Sequence, residues 1–145
     1  MQFLGQILIL ILAGYGSINV NDPLTTRSTD ITELVLDQVD AFNGRNVDRL
    51  VANISDDFKW YWISSDSLIL ELEGKPAFAK SMTAYFESYP SVTSTIDDLV
   101  VVENRAMFRE SVTYTTANDS VARSEAAAIY QVDDSLISRV WYFID

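Results

Sequence analysis

RAMFRESVTYTTANDSVARSEAAAIYQVDDSLISRVWYFI, residues 105–144, alternates its side chains with a period of two over most of its length. That period marks strands with one face turned to a core. The alternation breaks at Ala117-Asn118-Asp119 and at Asp133-Asp134-Ser135, residue types that favour turns because short polar side chains bond their own backbone. The stretch predicts strands over Arg105–Thr116, Val121–Val132 and Leu136–Ile144, and the same period in Val92–Glu103 predicts one more ahead of them.

Upstream the period changes. Gly74-Lys75-Pro76 opens a helix in which Phe78, Met82, Tyr85, Phe86 and Tyr89 share a face before Pro90 ends it. Phe58–Ile63 and Leu68–Glu73 read as two strands joined by Ser64-Ser65-Asp66-Ser67. Asn46 caps a short helix through Val47, Leu50, Val51 and Ile54 that ends at Ser55-Asp56-Asp57. Asp30 with Glu33 makes a capping-box start for a first helix. Its face of Leu34, Val35, Val39 and Phe42 is interrupted by Gln38, and it stops at Asn43-Gly44. Helix, helix, strand pair, helix and then a long meander give an α+β fold, with the helices on one face of a curved antiparallel sheet.

The 145 residues, 48% of them hydrophobic, suffice for one domain with one core. A net charge of −11 repels phosphate backbones, so nucleic acid is not an expected partner. The chain has no cysteine and no histidine, which removes disulfides, thiolate chemistry, the usual zinc ligands and the usual neutral-pH base. No metal and no cofactor are expected. Asp56-Asp57, Asp97-Asp98 and Asp133-Asp134 sit where turns need them, and Glu71 and Glu73 share a solvated strand face.

The start, MQFLGQILILILAGYGS, reads as a signal peptide over 1–17, with its apolar run at Ile7–Ala13. The alternatives are an uncleaved anchor and an ordinary buried segment. Residues 18–29 then form a polar linker and 30–145 the domain. The expected protein is secreted or otherwise exported, with no stable membrane association after cleavage. Asn53-Ile54-Ser55 and Asn118-Asp119-Ser120 match the glycosylation pattern and read equally as unmodified surface Asn.

Three segments, VDAFNGRNVDRLVANISDDFKW (39–60), GKPAF (74–78) and AIYQVDDSLISRVWYFID (128–145), in this order and spacing, resemble the SnoaL-like members of the nuclear-transport-factor-two-like superfamily. The resemblance covers about Asp30 to Asp145. It implies a cone whose curved sheet and three helices enclose a pocket, and a dimer through the outer sheet face. It also implies kinship with ketosteroid isomerases, polyketide cyclases and limonene-epoxide hydrolases. Trp62 stands where the isomerases carry their general base. Gln38 and Ala128 stand where those enzymes form their oxyanion hole, and Tyr142 lies near an acid of the hydrolases.

With Trp62 at the base position, alternation places Phe58 and Trp60 on the pocket side and turns Lys59 and Tyr61 away. The same parity brings Phe108, Glu110, Val112 and Tyr114 inward, with Ser124, Ala126, Ala128 and Tyr130, and with Val140, Tyr142 and Ile144. The expected ligand-binding residues are Gln38, Phe58, Trp60, Trp62, Tyr85, Phe108, Ala128, Tyr130 and Val140. The tryptophans read alternatively as core that fills the cavity. Glu110 is the candidate general acid or base, with Tyr114 and Tyr142 as phenolic partners; its other reading is an ion pair or a solvated rim. Arg109, Arg123, Glu125, Arg139, Trp141 and Phe143 fall on the outer face, where an exposed apolar patch calls for a homodimer. Two classes of function follow: a domain that binds a small apolar or aromatic molecule, or an isomerase, cyclase or dehydratase working through Glu110. A dimerisation module with a filled cone is the third.

Overall fold

The computed structural model describes residues 23–144, so the leader expected at 1–17 lies outside the described residues. It consists of α1 (Pro23–Asn43), α2 (Val47–Ala52), β1 (Ile54–Ser64), β2 (Ser67–Glu73), α3 (Lys75–Ser88), β3 (Thr93–Val102), β4 (Arg105–Thr115), β5 (Val121–Asp133) and β6 (Leu136–Phe143). No described helix is long and apolar enough to cross a membrane.

Two boundaries differ from expectation. α1 is already helical at Pro23, where the described residues begin, seven residues ahead of the expected start at Asp30. Asp30 and Glu33 therefore lie inside the helix. α2 is capped by the Asn46 side chain, which accepts the Arg49 N–H at 3.0 Å, but it ends at Ala52. There the Asn53 carbonyl accepts the Ile137 N–H at 2.9 Å, and Ile54 pairs with Ile137. Sheet pairing thus takes Ile54 to Asp57 out of the expected helix end and into β1.

The sheet has six strands in the order β2-β1-β6-β5-β4-β3. It is antiparallel except between β1 and β6, which run parallel, so the expected antiparallel sheet is mixed at that one seam. It is curved and does not close on itself. The β5–β6 turn puts Asp134 and Ser135 at φ 50° and 65°, the backbone that lets a two-residue connection follow the sheet's twist.

All three helices lie on one face. α1 packs on β3 and β4, and α3 on β1 and β2. Arg49 of α2 donates to Asp40 at 2.7 Å and forks onto Asp37 of α1. Asp37 also accepts from the amide nitrogen of Asn53 at 2.7 Å, so the group that glycosylation would need is engaged. The hydrogen bonds from Arg49 and Asn53 hold the Asp37 carboxyl below its ordinary range.

The core runs from Val35 and Leu50 through Ile54 and Phe58 to Ile137, each essentially sealed from solvent. Phe58 meets Phe78 edge to face, with ring centroids 5.2 Å apart. This contact joins α3 to β1. Phe58→Ala is expected to destabilise the fold by about 3–5 kcal/mol, read as a lowered urea midpoint with an unchanged slope; a loss under about 1 kcal/mol would show that the site collapses onto the cavity.

Candidate functional site

Between the inner sheet face and the helices lies a cavity of about 360 Å³. Alternation along β1 gives it Phe58, Trp60 and Trp62; α1 contributes Gln38 and Phe42, α3 Met82 and Tyr85. β4 adds Glu110 and Tyr114, β5 Ala126 and Tyr130, and β6 Val140 and Tyr142. The indoles do not fill the space; they form one wall of it. Trp60 stacks on Tyr142 at 5.2 Å and leans on Trp62 at 5.6 Å and Phe78 at 6.3 Å.

Most sequence candidates meet at this cavity: Gln38, Phe58, Trp60, Trp62, Tyr85, Glu110, Tyr114, Tyr130, Val140 and Tyr142. Phe108 and Ala128 do not. Both are buried, but Phe108 turns edge-on to Tyr130 at 4.9 Å and closes the core behind the wall. Ala128 sits in register between Phe108 and Tyr142 and is covered by larger neighbours. Glu71 and Glu73 are both exposed, as a solvated strand face requires, but Glu71 also borders the cavity. Trp60 pairs with Leu72 and Tyr61 with Leu70, which leaves Glu71 as the extra residue of a bulge. Exposed though it is, it reaches the cavity mouth.

Glu110 is surrounded by protein yet opens to the cavity, so its residue is only half-buried. Its carboxyl accepts the Ser94 hydroxyl. Ser94 is held in turn by Asn43 at the end of α1, whose amide accepts the Ser94 N–H at 2.7 Å and donates to the Ser94 carbonyl at 2.9 Å. Sequence reading missed both residues, because their pairing spans α1 and β3 and leaves no local pattern. On the other side, Glu110 faces Ala126 and Tyr142 faces Ala128 across β5. These two small residues let the Tyr142 phenol approach the carboxyl. The Tyr142 and Tyr130 hydroxyls lie 2.7 Å apart, which extends the chain Ser94–Glu110–Tyr142–Tyr130.

Burial pushes the Glu110 carboxyl above its ordinary range, and the hydrogen bonds from Ser94 and Tyr142 only partly reverse this. Burial, then the charge of Glu110, raises the Tyr142 phenol well above its ordinary value, and Tyr130 follows for the same causes. A carboxyl kept protonated beside a phenol offers two O–H donors to a developing oxyanion; once ionised it is a base. Among the described residues, two buried polar atoms beside the cavity have no partner: Gln38 Oε1 on α1 and Trp60 Nε1 on β1. Each orphan costs about 1–3 kcal/mol. No group of three potential metal-binding side chains occurs among the described residues.

On the outer face, Arg109 reaches Asp97 at 3.6 Å and Asp98 at 3.4 Å; Arg123 meets Glu125 at 2.5 Å at the edge of the sheet face, where Glu125 also borders the cavity rim. Trp141 stacks on Tyr61 at 6.0 Å, and Phe143 is 41% exposed.

The family model for the SnoaL-like domain matches residues 35–140. Among solved structures, the chain is similar to an uncharacterised cystatin-fold protein from Novosphingobium aromaticivorans, with 25% identity, a TM-score of 0.67, and 78% of this chain and 96% of that one covered. It is similar to a candidate SnoaL-like polyketide cyclase from Jannaschia sp. CCS1, with 16% identity, a TM-score of 0.68, and 90% and 92% covered. A candidate polyketide cyclase from Xanthomonas campestris pv. campestris gives 23% identity, a TM-score of 0.61, and 82% and 93% covered. No match was found among curated proteins.

The raised Glu110 carboxyl has a sign that stability can test. The folded state holds this proton more tightly than the unfolded chain, where the value is near 4.5. Its stabilising contribution is therefore fully present below that value and is lost as pH rises through the raised folded value. Relative to Glu110→Gln, which keeps the shape without the titration, the parent is expected to lose stability progressively as pH rises above about 4.5 and through the raised folded value. Urea midpoints of the two proteins that run parallel over that window would contradict it.

Proposed function

The chain belongs to the SnoaL-like domain family, and on that premise we propose that it binds a small apolar or aromatic molecule in the cavity, whose polar group meets Glu110 and Tyr142. The observation that carries this reading is the open, aromatic-walled space itself. Its volume of about 360 Å³ falls within the roughly 300–1,000 Å³ of small-molecule sites. The leader-like start at 1–17 makes export part of the same proposal.

Acid–base catalysis on a carbonyl compound, of the isomerase, cyclase or dehydratase kind, is the second reading. It is favoured by the raised carboxyl and its phenol. One probe separates the two: β-tetralone, an apolar aromatic ketone with exchangeable α-hydrogens. Saturable quenching of the Trp60 and Trp62 fluorescence is expected, with a dissociation constant of about 1 mM or tighter; its absence would count against the pocket. Exchange of the α-hydrogens with deuterated water above the buffer rate, lost in Glu110→Gln, would establish the enzyme.

The outer face carries the remaining part of the proposal. Trp141, Tyr61 and the exposed Phe143 form an apolar stripe flanked by charges, and we propose that a second copy covers it. Trp141→Glu is expected to shift the sedimenting species from dimer to monomer with unchanged circular dichroism; a parent that already sediments as a monomer would refute the dimer.

A further inference from the structure

The walls of the cavity carry a one-sided charge pattern. Among the described residues that line it are Glu71, Glu110 and Glu125, and no Lys or Arg; the whole chain has no His. Glu125 is answered at the rim by Arg123. Glu110 and Glu71 have no ion pair among the described residues. Among the described residues the hydrogen-bond partners of the Glu110 carboxyl are neutral hydroxyls, those of Ser94 and Tyr142.

The aromatic wall points the same way. Trp60, Trp62 and Tyr142 lie 5.2 to 5.6 Å from one another, and the face of such a ring is the negative end of its quadrupole, which attracts cations. A carboxylate ligand would meet an acidic lining with no counter-ion; an amine would meet aromatic rings and a carboxyl.

Resting on the binding reading above, we infer that the cavity selects an apolar organic cation, an aromatic amine or ammonium, whose charged nitrogen sits between Glu110 and the Trp60–Tyr142 faces. Glu71, exposed at the mouth, draws such a ligand in, and the acidic chain as a whole favours its approach. The raised proton affinity of Glu110 agrees with this reading, because it is what burial does to a carboxylate that lacks the cation.

Calorimetry of the full chain near neutral pH with three isosteric probes tests the inference: naphthalene-2-methylamine, naphthalene-2-methanol and naphthalene-2-carboxylic acid. The amine is expected to bind about tenfold or more tightly than the alcohol, with the acid weakest. Glu110→Gln is expected to bring the amine-to-alcohol ratio close to one, and Glu71→Gln to lower it by about two- to threefold. Equal affinities for amine and alcohol would overturn the cation inference and leave the binding reading standing. No saturable binding of any probe, with β-tetralone silent as well, would overturn both. A preference that survives in Glu110→Gln would remove Glu110 from the assignment, and the three probes on the parent protein decide the charge question even if that variant fails to fold.

Discussion

The parallel pairing of β1 with β6 is the constraint on which the rest of the molecule depends. It joins the first strand to the last and sets Trp60 beside Val140 and Trp62 beside Tyr142. Without it, the β1–β2 hairpin and its helix would have no fixed place against the meander. Parallel pairs need long connections, and here residues 65–135, with β2, α3 and the first three strands of the meander, are the connection. The loop entropy of such a closure is recovered only by what the seam buries: the stack of Trp60 on Tyr142 on the inner face and of Tyr61 on Trp141 on the outer.

The same seam makes the polar end of the cavity. Tyr142 reaches toward Glu110 because β5 offers only Ala126 and Ala128 in between, and Glu110 is aimed because Asn43 fixes Ser94 from the far side. The site is therefore assembled from α1, β3, β4, β5 and β6. Its geometry belongs to rigid elements, as a site that must orient a small polar group requires.

Much of this arrangement opposes stability. An open cavity forgoes packing contacts, Gln38 and Trp60 each leave a buried polar atom unbonded, and Glu110 holds a carboxyl where burial disfavours its charge. A chain that folded for stability alone would fill the space with its own side chains. That these costs gather around the cavity, while the core from Leu50 to Ile137 is closely sealed, marks where local fit was given up to something else.

Residue alternation was enough to read the strands, and with them the inward set of Phe58, Trp60, Trp62, Glu110, Tyr130 and Tyr142, because a strand's faces are fixed by a period of two. Helix faces were legible for the same kind of reason, which is why Gln38 and Tyr85 were found. Alternation cannot see depth: Phe108 and Ala128 share the inward face and yet lie behind the wall. It cannot see a bulge, which needs two strands to define, so the exposure of Glu71 was legible but its place at the cavity mouth was not. Nor can it see Asn43 reaching Ser94, a contact 51 residues apart in sequence. The sequence by itself determined which side chains face inward, because that depends on neighbours along the chain. Only the tertiary structure decided which of them meet, because register, bulges and the parallel seam are set by hydrogen bonds between segments distant in sequence.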